Sequence, residues 1–116
     1  MTSKFRIEFL DEAVEFLQGL DEKAREKIYF NLRKAQIKND KTLFKKLRGD
    51  IWEFRTLYKR TQYRLFAFWD KSDRLDTLVI STHGIEKKTQ KTPKKEIEKA
   101  EALRKQYFDD LEKLKL

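Results

Sequence analysis

The chain opens on an alternation: Lys4-Phe5-Arg6-Ile7-Glu8-Phe9 places an apolar residue at every second position, the period of a half-buried strand. From Asp11 the period lengthens. Ala13, Val14, Phe16 and Leu17 form an apolar stripe that predicts a helix capped by Asp11 and ended by Gly19. Asp21 starts a second helix, on which Ala24, Ile28, Leu32, Ala35 and Gln36 recur at helical spacing while the charged residues between them face solvent. Residues 39–50 lose the periodicity and read as a polar connection ending at Gly49-Asp50. Three strand-like segments follow, Ile51–Tyr58, Tyr63–Trp69 and Leu75–His83, each rich in β-branched or aromatic residues. The middle one is apolar on both sides beyond Arg64, which suits a central strand covered on both faces. After His83-Gly84 a lysine-rich loop leads to Pro93, a favoured residue for the first turn of a helix. Ile97, Ala100, Arg104, Tyr107 and Leu111 then lay a mostly apolar stripe along a closing helix. The predicted order is β-α-α-β-β-β-α, an α+β domain in which a small antiparallel sheet carries an N-terminal helical hairpin and a C-terminal helix.

Composition narrows this picture. At 116 residues the chain is one domain, 1–116, with nine Phe, four Tyr and two Trp to fill a single core. Charged residues make up 41%, but a disordered chain would be poorer in aromatics. The absence of cysteine excludes disulfides and thiolate chemistry. No apolar run approaches a membrane span, and Met1-Thr2-Ser3-Lys4-Phe5 lacks the apolar region of a signal peptide. A cytoplasmic protein without membrane association is the expectation.

The net charge is +8, and its position matters more than its size. Residues 1–40 carry eight basic and eight acidic groups and cancel. Residues 41–64 carry eight basic groups against Asp50 and Glu53, and residues 83–95 carry five lysines against Glu86. Positive charge confined to two blocks is the footprint of a polyanionic ligand, and it makes Lys45, Lys46, Arg48, Lys59, Arg60, Lys88 and Lys91 candidate contacts to one.

Two constellations could carry chemistry. With the β-turn centred between Arg60 and Thr61, Arg55 stands opposite Phe66 and Leu57 opposite Arg64. Glu53, Arg55, Arg64 and Phe66 then share one sheet face, with the arginines as diagonal neighbours. Two readings are open: an Arg–Glu–Arg network that stabilises the sheet, or two guanidiniums arranged to grip a phosphate. The second constellation runs from His83 to Pro93, where a strand end delivers the only histidine and a loop presents lysines and threonine hydroxyls before a helix N-terminus. An unperturbed imidazole changes charge near neutral pH, which makes His83 a candidate general acid or base. With one His, no Cys and no clustered carboxylates, the sequence offers no plausible metal cage, and none of the familiar nucleotide-binding or nucleophile motifs occurs. No metal and no cofactor are expected.

These residues also carry a family likeness. Leu47-Arg48-Gly49-Asp50-Ile51-Trp52-Glu53-Phe54-Arg55 resembles the "LRG…WElR" segment of HigB-like toxins of the RelE superfamily, and Tyr63-Arg64-Leu65 resembles their "yRv" strand. His83-Gly84-Ile85-Glu86-Lys87-Lys88-Thr89-Gln90-Lys91-Thr92-Pro93 resembles their "HgFxKKtqktP" motif, with Ile85 where Phe is usual. The resemblance covers about residues 47–108 and places the chain in the phage-derived branch of these type II toxins. It implies a sheet with helices on one face and a basic active surface on the other. It implies metal-independent endoribonuclease activity on mRNA bound to the 70S ribosome, and neutralisation by a helix-turn-helix, HigA-like antitoxin through which alone operator DNA is contacted. Within it, Arg55 and Arg64 are expected to stabilise the transition state, Lys87 and Lys88 to bind phosphate, Glu53 to orient Arg55, and His83 or a lysine of lowered pKa to move the proton. Tyr107 sits on an apolar stripe and is given no catalytic role. Replacing either arginine by Ala is expected to relieve toxicity while leaving the melting temperature nearly unchanged. The rivals are a ParE-like gyrase poison of the same fold and a non-catalytic RNA-binding module, whose aromatics should be exposed for stacking.

Overall fold

The computed structural model describes residues 5–38, 40–72, 76–87 and 92–114, of which 78–87 by their backbone alone. Along the chain lie β1 (Arg6–Phe9), α1 (Asp11–Gln18), α2 (Glu22–Ile37), β2 (Phe44–Arg48), β3 (Ile51–Tyr58), β4 (Thr61–Asp70), β5 (Thr77–Lys87) and α3 (Lys94–Leu114). The predicted order β-α-α-β-β-β-α is present, with β2 as one further strand. The sheet runs β1-β5-β4-β3-β2, antiparallel from β5 to β2, and β1 closes it by pairing in parallel with β5.

Alternation along β3 and β4 divides the core in two. One face of the sheet packs Phe54, Leu65 and Ala67 under the helical hairpin, where Ala13, Leu17, Ile28, Leu32 and Ala35 are buried. Those helical positions belong to the stripes read from the sequence, although Val14, read into the α1 stripe, is exposed. Asn31, buried on α2, donates to Thr56 Oγ1 on β3 at 3.1 Å, which fixes the helix on the sheet and satisfies both polar groups. The other face packs Ile51, Phe66 and Phe68 under α3, where Ala100 is fully buried and Ile97, Tyr107 and Phe108 pack around it. Helices therefore cover both faces, not one as the family resemblance implied. α3 contacts the Ile51–Phe68 end, so the second face is only partly roofed. The coverage explains why β4 is apolar on both sides.

Three local readings change. Asp11 is the first residue of α1 and Leu10 the N-cap, so Asp11 acts through its charge in the first turn rather than as a capping acceptor. Residues 44–48, read as polar connection, form the edge strand β2. Phe44 anchors it on the hairpin face, stacking on Trp52 and Phe54 with ring centroids 4.7 Å from each, and Leu47 packs against the core under α3. Three of its five residues are cationic, which obscures the strand pattern and also protects a sheet edge from pairing with another chain. Finally, β5 does not end at His83; it continues to Lys87. Its register on β4 shifts between Leu65↔Gly84 and Ala67↔Ile80, so residues 81–83 lie in an irregularity opposite Phe66.

Candidate active site

The turn between β3 and β4 sets the geometry. Tyr58 pairs with Thr61, leaving Lys59 and Arg60 as a two-residue loop in which both backbones have positive φ, +47° and +67°. Paired positive φ values are the hallmark of the primed hairpin turn, whose twist matches the strands. The turn is centred one residue earlier than the sequence reading placed it. Arg55 consequently stands directly opposite Arg64, and Glu53 opposite Phe66. Because the pairing moves by two positions, facing is conserved. Glu53, Arg55, Arg64 and Phe66 share a face as expected, but the arginines are opposed rather than diagonal.

Between the guanidiniums sits one carboxylate. Arg55 Nε donates to Glu53 Oε1 at 2.6 Å, and Arg64 Nη1 lies 3.2 Å from Glu53 Oε2. Glu53 and Arg64 are both fully buried. Two groups that sequence reasoning missed complete the arrangement. Thr92, just before α3, donates its hydroxyl to Glu53 Oε2 at 2.5 Å and accepts from Arg64 Nη1 at 2.7 Å. Gln62 Oε1 accepts from Arg64 Nη2 at 3.0 Å. Gln62 lies two residues before Arg64 on the same strand face, so alternation could have flagged it. Thr92 lies 28 residues beyond Arg64, and only folding joins them.

The two arginines thus differ. Arg64 is enclosed by Glu53, Gln62 and Thr92, and its guanidinium reaches solvent nowhere. Arg55 keeps 26% of its side chain exposed while its Nε is fixed by Glu53. One carboxylate against two guanidiniums leaves the trio with a net positive charge, expressed at Arg55. Full burial also overturns the expectation that Arg64→Ala leaves the melting temperature nearly unchanged. Removing one partner of a buried pair strands the other charge away from water, which typically costs about 3–5 kcal/mol.

The remaining sequence candidates are distributed around this trio. Lys59 and Arg60 are exposed at the turn beyond Arg55, with the Lys59 ammonium 5.5 Å from the centre of the Tyr58 ring. Lys45 pairs with Glu53 across the β2–β3 ladder; Lys46 pairs with Trp52 and is exposed, as is Arg48. On β5 the backbone of Lys87 stands opposite Gln62 and that of Ile85 opposite Arg64, so the strand carries Lys87 to the arginine end of the sheet. His83 lies within β5, in the irregular stretch opposite Phe66; its side chain, and Lys88 and Lys91 altogether, fall outside the described residues. Among the described residues no three metal-binding side chains converge.

Tyr107 has a structural placement. Its ring meets Phe68 edge-on at 5.2 Å, and its hydroxyl donates to Asp70 Oδ2 at 2.5 Å. Burial of the phenol, and then the adjacent Asp70 carboxylate, push its pKa well above the usual 10. Tyr107 therefore pins α3 to the end of β4 as a neutral hydrogen-bond donor.

Residues 15–105 match the family model described as phage derived protein Gp49-like. No curated protein and no solved structure matches the chain.

Proposed function

The chain belongs to the Gp49-like phage-derived protein family, a family of RelE- and HigB-like toxins with which an antitoxin partner is associated, and from that premise we propose that it is a metal-independent endoribonuclease cutting mRNA on the ribosome. The observation that carries the reading is the buried Glu53–Arg64–Thr92 network holding Arg55 at its solvent-facing rim. An exposed arginine on a flexible stem would lose much of its binding energy to ordering; one whose Nε is already fixed presents its outer nitrogens preorganised.

The reaction this supports needs no protein nucleophile. The ribose 2′-oxygen attacks the adjacent phosphorus, the bond to the 5′-oxygen breaks, and a 2′,3′-cyclic phosphate and a 5′-hydroxyl remain. One proton leaves the 2′-hydroxyl and one arrives at the departing oxygen. Arg55 neutralises charge on the phosphorane, with Lys87 and Lys88 as auxiliary phosphate ligands, and His83 or a lysine of lowered pKa moves the proton. Arg64 acts through Glu53, as a positioning residue. Lys45, Lys59 and Arg60 extend the positive field along the RNA path.

The test is the chemistry of the ends. Message cut during expression of the toxin without its antitoxin should carry a 2′,3′-cyclic phosphate on the upstream fragment, and a 2′-deoxy substitution at the cleaved nucleotide should block cutting. A 3′-hydroxyl on that fragment would sink the mechanism. Growth arrest with intact messages and broken chromosomal DNA would instead favour the gyrase reading.

A further inference from the structure

A second feature lies at the opposite end of the sheet from the Lys59-Arg60 turn. The β2–β3 turn at Gly49-Asp50, the segment leaving β4 at Lys71-Ser72, and α3 at Arg104 and Phe108 enclose a cleft of about 560 Å³, within the range of small-ligand sites. Trp52 and Trp69 line it, and both are only half-buried although each packs against the aromatic core. Its polar lining is mostly cationic: Lys46, Lys71 and Arg104 against Asp50. Asp50 is engaged by Arg104 Nη2 at 3.5 Å, and the Arg104 guanidinium lies over the Phe108 ring, 5.1 Å from its centre. Asp70, at the end of β4, is buried and held by Ser72 and Tyr107. Among the described residues, the Lys46 and Lys71 ammoniums are left without a carboxylate to neutralise them.

Half-buried indoles beside uncompensated ammoniums suit a ligand that is flat, apolar-faced and anionic at once. We propose that this cleft binds a nucleotide of single-stranded RNA, its base against Trp52 and Trp69 and its phosphates on Lys46 and Lys71. The assignment rests on the reading of the protein as an RNA-cleaving toxin and adds a subsite to it. From Trp52 to Arg55 the chain rises roughly 10 Å along β3, and because Trp52 packs on the hairpin face while Arg55 lies on the other, RNA joining the cleft to the cut would turn around the end of the sheet. Stacking recognises any base by its π-face, and so this subsite anchors the RNA without reading its sequence.

The chain has two tryptophans, and both line this cleft, so its intrinsic tryptophan emission arises entirely from cleft-lining residues. The probe is a 2′-O-methyl RNA hexanucleotide, which lacks the nucleophile and cannot be cut. Its titration into the wild-type protein should quench tryptophan emission saturably. An abasic oligomer with the same phosphates should bind roughly ten-fold more weakly or worse, and Lys71→Glu should move the midpoint to several-fold higher RNA concentration. Absence of quenching, equal quenching by the abasic oligomer, or a midpoint indifferent to Lys71→Glu would each overturn the proposal. So would quenching by the helix-turn-helix antitoxin and none by RNA, which would assign the cleft to the antitoxin. The readout requires neither cleavage nor ribosomes. Quenching without any RNA cutting therefore leaves the cleft standing and removes the nuclease reading, while cutting without quenching does the reverse.

Discussion

At the scale of single residues, Arg55 and Arg64 have opposite consequences although they are opposed on neighbouring strands. Arg55 is partly exposed and tethered by one bond from Nε, so Arg55→Ala should fold with a melting temperature close to wild type. Its loss should lower cleavage by roughly 10²–10³-fold, the usual effect of removing one preorganised charge donor. Arg64→Ala should instead lose about 3–5 kcal/mol, seen as a large drop in the denaturant midpoint, because Glu53 is left buried and half-compensated. The double variant Glu53→Leu/Arg64→Met removes both charges together and should recover most of that stability. It should not recover cleavage, because Arg55 then loses its tether. A double variant as unstable as Arg64→Ala would show that the energetic role lies in packing, not in the ion pair.

At the scale of elements, the β3–β4 turn and the α3 anchor each make a claim. Lys59 and Arg60 hold positive φ without being glycine, a conformation that costs about 1–2 kcal/mol per residue. Lys59→Asn/Arg60→Gly, the favoured pair for this turn, should raise the melting temperature. The same change should weaken RNA binding, since strain retained at a loop tip is commonly associated with function. A variant more stable and equally tight on RNA would mean that these cations serve no ligand. For Tyr107 the sign follows from the raised phenol pKa. Below pH 10 folded and unfolded chains both hold the proton, and the stabilising bond to Asp70 is complete. As pH climbs above 10 the unfolded chain releases its proton first, so stability declines toward the raised folded value. Chemical denaturation across that range should show the decline in wild type and a flatter profile in Tyr107→Phe.

At the scale of the whole molecule, the positive blocks should act through counterion release. The logarithm of RNA affinity should fall linearly with the logarithm of salt concentration. Each lost phosphate contact, as in Lys45→Ala, should reduce the slope by about 0.7 for a single strand. A salt-independent affinity would argue against phosphate contacts as the basis of binding. Because the family is associated with an antitoxin partner, co-expression of a cognate antitoxin should restore growth.

The order of elements, the helical stripes buried under the sheet, the two-sided burial of β4 and the two basic blocks were all legible in the sequence. Each is a local property, carried by periodicity or composition within one segment. Facing of Glu53, Arg55 and Arg64 was legible too, because it survives a register change of two. What the tertiary structure decided depends on distant partners. Lys59-Arg60 gives no turn signal, so only the assembled ladder set Arg55 against Arg64. β2 was hidden by its cations, and its place comes from Phe44 packing on Trp52 and Phe54. The division of labour between the two arginines was invisible for the same reason. Burial of Arg64 requires Thr92, 28 residues away, to be brought over it, and nothing in the local sequence of β4 encodes that contact.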